Sequence, residues 1–420
     1  QQVLFYKNRK IHAMKKLFIV LSMLSPSLLF AQGFQVNLQG QKQQAMGGAG
    51  VATNLDGASV FYNPGSVSHL KENSVSVGVS LTAESTAFRD GNSQQQFRTN
   101  SPISTPFTGY GVWGPKESKF KFGMGVYTPF GSTIKYEDGW SGRYALTQMK
   151  LLSVFFQPTL SYKVNDKLGI GAGFVYGYGH IDLSKDLPIA NANGQQSTAN
   201  LSGTAGGMGY NLGVYYKPIE KISIGLSYRS QVNMKLKNGS ATFNVPNSLQ
   251  TNFPSGSFSA TLPLPQVLTL GVAVNATEKL VVTADVNYIG WGSYKSLSFD
   301  YAQNTTSLKD TESPRNYKNT YAIRLGGQYT LSEKILLRAG MNYEKSPIKN
   351  GYVTPEVPDA DRLNFTGGIG YKPIERFMID ASFSYINFMK RTDTNIETNL
   401  SGTYKTRILV PGLSLTYNFN

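Results

Sequence analysis

L-V-V-T-A-D-V-N-Y, at residues 280–288, is the stretch that decides the fold. Leu280, Val282, Ala284, Val286 and Tyr288 alternate with Val281, Thr283, Asp285 and Asn287. A strand points successive side chains to opposite faces, so one face here is apolar and the other mostly polar, with Asp285 and Asn287 on the polar side. Soluble sheets alternate too. This unit, however, recurs from about residue 74 to the C-terminus, joined alternately by tight turns and long polar stretches. That is the pattern of a barrel with lipid outside and water inside.

Proline, Asn/Asp and charge mark chain reversals at 114–118, 164–167, 217–221, 275–279, 331–334 and 372–376. Longer polar stretches lie near 85–105, 130–143, 185–200, 238–257, 302–316, 346–360 and 391–403. Six short and seven long connections give about fourteen strands, an even number, as in bacterial outer-membrane barrels. The two types alternate without a break, so short turns share one side of the membrane and long loops the other. Both termini then fall on the short-turn, periplasmic side. The expected fold is all-β, a 14-stranded antiparallel transmembrane barrel. Its outward faces include Val75, Val77, Val79 and Leu81, with Ser74, Ser76, Gly78 and Ser80 inward. Others are Ile222, Ile224, Leu226 and Tyr228; Phe377, Ile379, Ala381, Phe383 and Tyr385; and Leu413, Leu415, Tyr417 and Phe419. The aromatics at strand ends suit an interfacial girdle or ordinary strand positions.

The 420 residues include 43 glycines and no cysteine, which leaves neither a disulfide framework nor a thiolate metal site. Outside the N-terminus no apolar run reaches the roughly 18 residues of a membrane helix. From Met14 the chain reads M-K-K-L-F-I-V-L-S-M-L-S-P-S-L-L-F-A-Q. Two lysines, a short apolar run and the small Ala31 make a secretory signal peptide. Residues 1–31 are therefore read as upstream residues plus signal. Removing them takes away Lys7, Arg9, Lys10, Lys15 and Lys16 and lowers the formal charge from +15 to +10. The remaining cations are dispersed. They suit solvated turns, anionic lipid and lipopolysaccharide headgroups or an anionic solute, and not nucleic acid. No cofactor is expected, and the chain is read as a monomer.

Residues 32–72 do not alternate. Glycines and small residues dominate, with Ala45, Met46, Val51, Ala52 and Leu55 placed as faces of short helices. About 40 residues cannot build an independent core. They fit a plug inside the lumen of the barrel at 73–420, or a flexible periplasmic tail. Gly47-Gly48-Ala49-Gly50 lacks the Gly-Lys-Ser/Thr and βαβ context of a phosphate loop.

Asn63-Pro64-Gly65 closes this segment and resembles the end of the N-terminal hatch in FadL-type transporters, where Asn-Pro-Ala is usual. Further similar stretches are Y-T-P-F-G-S-T with W-S-G-R-Y (127–144), residues 268–294, R-N-Y-K-N-T-Y-A-I-R-L-G-G (315–327), and R-A-G-M-N-Y-E-K-S-P with P-D-A-D-R (338–362). The resemblance covers essentially the whole mature chain. It implies a hatch-closed barrel carrying long-chain fatty acids, or aromatic hydrocarbons in a sister branch, across the outer membrane. It also implies lateral release where the third strand, near 119–130, kinks beside the hatch. Gly123, Gly125, Pro129 and Gly131 there either kink that strand or simply end it. By the same resemblance Lys318 meets a ligand carboxylate, unless it is a solvated strand-end lysine. Phe34 lies beside bound ligand, and Asn63, Pro64 and Gly65 contact the kinked strand. Arg143, Asp361 and Arg362 match family motifs and fit structural pairs in the lumen or at loop bases better than ligand contacts.

Two other classes compete. A barrel enzyme needs a base, and of the three histidines neither His69 nor His180 forms a recognised motif with Ser68 or Ser184. No enzymatic activity is expected. A porin for small polar solutes needs a wider, open barrel. Adhesion or phage reception by the long loops is compatible with transport.

Overall fold

The computed structural model describes residues 35–190 and 194–419; the signal segment 1–31 and Phe34 lie outside the described residues. The chain forms a closed antiparallel barrel of fourteen strands. The first strand is Asn73–Ser80 continued by Ala83–Asp90, the second Gln96–Arg98 and Phe107–Trp113, the third Phe120–Tyr127 and Gly131–Lys135. The fourth, fifth and sixth are long: Gln148–Lys163, Leu168–Ala190 and Gln196–Ile219. The seventh is Ile222–Arg229 with Val232–Asn244, the eighth Gly256–Leu264 with Val267–Asn275, the ninth Leu280–Ile289 with Ser296–Tyr301. The tenth is Thr311–Pro314 with Thr320–Thr330, the eleventh Ile335–Glu344, the twelfth Arg362–Ile374. Phe377–Phe388 with Arg391–Thr394 and Ser401–Phe419 complete the circuit. Closure is direct, because Val75 pairs with Gly111 of the second strand and with Tyr417 of the last.

The alternation works as read. Thr283, Asp285 and Asn287 are buried toward the lumen, while Val282, Val286 and Tyr288 are exposed on the outer wall. All six short turns lie at one end, where Asn73 pairs with Phe419. The long-loop end differs from the sequence reading. Residues 185–190 and 196–200 continue the fifth and sixth strands as a paired hairpin instead of forming a loop. A strand of 23 residues far exceeds the roughly 9–11 needed to cross a bilayer. Above the membrane both faces are wet, so polar composition no longer separates strand from loop.

Inside the barrel lie helix Gln41–Ala45, helix Ser59–Tyr62 and the 3-10 turn Pro64–His69. A polar plug suits a polar lining, since each buried amide must find a partner. Gln41 donates to Ser80 Oγ (3.0 Å) and accepts from Ser382 Oγ (2.5 Å), and Gln44 donates to Ser384 Oγ (3.2 Å). Gly47 and Gly48 take positive φ (70° and 78°), where a side chain is strained. The donors of this run are occupied. Gly47 N–H donates to Thr366 Oγ1 (2.8 Å), and Gly50 and Val51 N–H donate to Asp285 Oδ2 (2.7 and 3.0 Å).

Candidate functional site: two cavities and a wall window

Pairing between the second and third strands stops at Thr108↔Tyr127. It resumes as the Thr99↔Tyr136 bridge, with Asn100 N–H donating to Lys135 O (2.7 Å). Between these points 101–107 and 128–134 form no backbone pair with each other among the described residues, leaving a window in the wall. Proline causes it: Pro102, Pro106 and Pro129 bring no N–H to the ladder. Gly131 restarts the third strand against the fourth at Leu152. One expectation needs correcting here. Gly123 and Gly125 do not interrupt the ladder, since they pair with Val112 and Tyr110; they face the lumen and make room for Val60 of the hatch. Asn63, Pro64 and Gly65 stand at the start of a turn that lies beside the third strand, while their hydrogen bonds run to the sixth strand and within the hatch. Asn63 Nδ2 donates to Val214 O of the sixth strand (2.9 Å) and to Val51 O (2.7 Å), and its Oδ1 accepts from Gly65 N–H (3.0 Å). Gly65 is tight against this wall. A Cβ there would come within 2.7 Å of Gly213 O and 2.8 Å of Gly169 O, so the residue that replaces the usual alanine fits a closer approach.

The window opens onto a lumen cavity of about 610 Å³, lined by residues 35–38 of the hatch segment, Ile103, Gly131, Thr133 and Asn364. Towards the long loops lies a second cavity of about 420 Å³. It is apolar, lined by Phe130, Met149, Leu183, Leu201, Leu236, Phe258, Leu264 and Leu297. Its charged lining includes Lys185, Lys309, Arg315 and Glu356. Trp291, Tyr294 and Tyr317 pack against one another beside it, Tyr317 meeting both other rings edge to face, with Tyr294–Tyr317 centroids 5.0 Å apart.

Arg315 is the cation this cavity buries (5% exposed). Its Nη2 donates to Glu356 Oε1 at 2.7 Å; its buried Nη1 has no hydrogen bond and lies 3.9 Å from Glu397 Oε2. Burial alone would lower its pKa, but Glu356 more than offsets that, and the guanidinium stays firmly charged. Lys318, three residues on, is exposed and lines neither cavity. Partial burial, then the neighbouring Lys345, Arg391 and Lys349, lower its pKa.

The other motif residues make ion pairs and hydrogen bonds with neighbouring side chains, and Arg362 also lines the lumen cavity. Arg143 stacks over the Tyr144 ring (4.5 Å) and lies 3.8 Å from Asp186. Asp361 accepts from Tyr343 OH (3.1 Å) and Ser346 N–H (3.2 Å) and pairs with Lys345 (3.3 Å). Arg362 donates to the buried Glu344 (2.6 Å), which also accepts from Arg324 (2.9 Å) and Asn37 (2.9 Å). The sequence reading missed the buried charges Arg324, Glu344, Arg338 and Asp380, of which Arg324, Glu344 and Asp380 contact the hatch segment. Their signal was parity: Arg324 sits opposite the lumen-facing Asp285.

A putative outer membrane protein of Neisseria meningitidis is 24% identical over 97% of this chain and 99% of its own length. Among solved structures, a Pseudomonas aeruginosa FadL homologue superposes with TM-score 0.82 at 20% identity, covering 93% of this chain and 100% of that one. The P. putida toluene transporter TodX gives 0.70 at 18% identity, with 93% and 99% covered. These likenesses establish the fold. Residues 22–419 match the family model of the outer membrane protein transport proteins (OMPP1/FadL/TodX), and the chain belongs to that family of outer-membrane transporters of hydrophobic molecules.

Proposed function

We propose that this barrel takes up long-chain fatty acids passively, binding them in the apolar cavity and releasing them sideways through the window between the second and third strands. The observation that carries the reading is that window, which joins a lumen cavity to the outer wall in a barrel otherwise filled by its hatch. Hydrophobic solutes gain nothing from a water-filled pore, whereas each methylene buried in an apolar cavity contributes about 0.8 kcal/mol. The Nη1 of Arg315, which has no hydrogen bond and only a 3.9 Å ion pair with Glu397, favours an acid over a neutral hydrocarbon. A carboxylate would complete it with a charge-assisted bond, whereas an aromatic hydrocarbon leaves the donor unpaired at a cost of about 1–3 kcal/mol. Lys318 would receive the headgroup earlier, at the exposed side of the same connection. With the loops extracellular, both termini lie in the periplasm.

Equilibrium binding of labelled oleate and labelled toluene to detergent-solubilised protein tests this, with Arg315→Ala and Lys318→Ala alongside. Oleate binding that weakens in Arg315→Ala supports it. Preference for toluene moves the chain to the hydrocarbon branch. Rapid sugar flux through reconstituted vesicles without oleate binding makes it a porin.

A further inference from the structure

We propose that the Phe130 ring, braced by Trp291, is the gate between the two cavities, and that pairing of Gln35 and Val36 with the third strand is its latch. The inference rests on the uptake reading above. Phe130 lines the apolar cavity, while Thr128 and Gly131 on either side of it line the lumen cavity. Leu151, Leu152 and Glu356 border both cavities, so the partition runs through this place. The ring is buried, tilted against Phe155 (6.2 Å) and edge-on to Trp291 (6.5 Å).

The backbone beneath the ring is held unlike any regular strand. Thr128, Pro129 and Phe130 lie opposite only Ser153 and Val154, between the pairs Tyr127↔Phe155 and Gly131↔Leu152. One extra residue against the fourth strand is a bulge, which bends a strand and aims a side chain. The Ser153 hydroxyl brackets the bulge, donating to Phe130 O (2.5 Å) and accepting from Phe130 N–H (3.2 Å). On the opposite edge, where the second strand is absent, the partner is the hatch segment. Gln35 bridges to Phe130, and Val36 N–H donates to Pro129 O (2.9 Å). Releasing these two residues leaves the bulge with no strand on that side. The ring then turns away from Trp291 and the cavities merge. An apolar chain that fills the upper cavity supplies Trp291 with a replacement contact, which lowers the cost of that turn.

The cysteine-free background allows a direct test. Phe130→Ala removes the gate. Val36→Cys with Pro129→Cys fixes the latch, since antiparallel neighbours about 4.5–5.5 Å apart at Cα can be bridged by a disulfide. Two quantities are read: equilibrium oleate binding, and the rate of oleate transfer through reconstituted vesicles. Phe130→Ala is expected to raise the transfer rate about threefold to tenfold, the scale of losing aromatic contacts, even as oleate binding weakens through loss of a ring that lines the binding cavity. The oxidised cysteine pair is expected to bind oleate but not transfer it, and to recover with reductant. An unchanged rate in Phe130→Ala, or equal transfer by oxidised and reduced pair, overturns the gate. Wild type that neither binds nor transfers oleate overturns the uptake reading instead.

Discussion

The seam between the fifth and sixth strands and the seam between the second and third are built from similar residues and behave oppositely. The first runs from Leu168↔Tyr216 to Ala190↔Gln196 with one register shift near its top. The second ends at Thr108↔Tyr127. Lumen-facing Gly169, Gly171 and Gly213 let the hatch lie directly on the first seam, so the wall is both paired and backed. In the second, three prolines remove donors and a short hatch segment stands in for the missing strand. Glycine and proline, both poor strand residues, thus divide the work: one thickens the barrel and the other opens it.

The largest expected effect comes from undoing what holds the hatch against the closed part of the wall. Glu344→Ala leaves Arg324 and Arg362 buried without their shared carboxylate. It should cost about 3–5 kcal/mol, seen as a lower unfolding midpoint of the detergent-solubilised barrel. If the midpoint is unchanged, the charge network does not anchor the hatch. On the open side, Arg315→Ala should weaken oleate binding by about tenfold to a hundredfold, while Lys318→Ala changes it by less than about threefold. Equal losses would return the headgroup site to Lys318.

Smaller effects sharpen the contrast between seams. A Cβ on Gly213 would meet Gly65 N at 2.7 Å, whereas one on outward-facing Gly111 meets nothing within 4 Å. Gly213→Ala should cost about 1–3 kcal/mol and Gly111→Ala close to nothing, by the same unfolding assay. Matching costs would mean the hatch does not press on the paired seam. The smallest effect is that of pH on the hatch base. Burial, then the Lys163 ammonium, hold the His69 imidazole below its ordinary value of 6.5. The unfolded chain therefore takes up a proton more readily than the folded one, so stability is complete above about 6.5 and declines below it. Hydrogen exchange of the Pro64–His69 turn should quicken on acidification, and His69→Gln should flatten that response. A profile independent of His69 would show that the ring carries no such coupling.

The strand count, the parity of the connections and the two faces of the wall were legible because alternation is a local property of the chain. The long hairpin of the fifth and sixth strands was hidden, since above the bilayer nothing requires one face to be apolar. The window was half legible. Pro129 marked it, but Gly123 and Gly125, which look equally disruptive, sit in an intact ladder because Val60 needs their space. That Arg315 and not Lys318 lines the apolar cavity has a backbone cause. Residues 315–319 lie between strand segments, and Asn316 takes positive φ (46°), so counting by twos does not say which side chain turns inward. The buried charges escaped notice for a related reason: a polar lumen position predicts polarity, not its partner across the barrel.

The central claim is that hydrophobic cargo leaves through the wall and not along the axis. Phe107→Cys with Thr128→Cys would extend the Thr108↔Tyr127 register by one pair and staple the lower edge of the window. Transfer of labelled oleate through reconstituted vesicles, measured before and after reduction of that bond, is the direct test. The account predicts that the oxidised barrel binds oleate but does not pass it, and that reductant restores passage. Equal transfer in both states would place the exit elsewhere and contradict it.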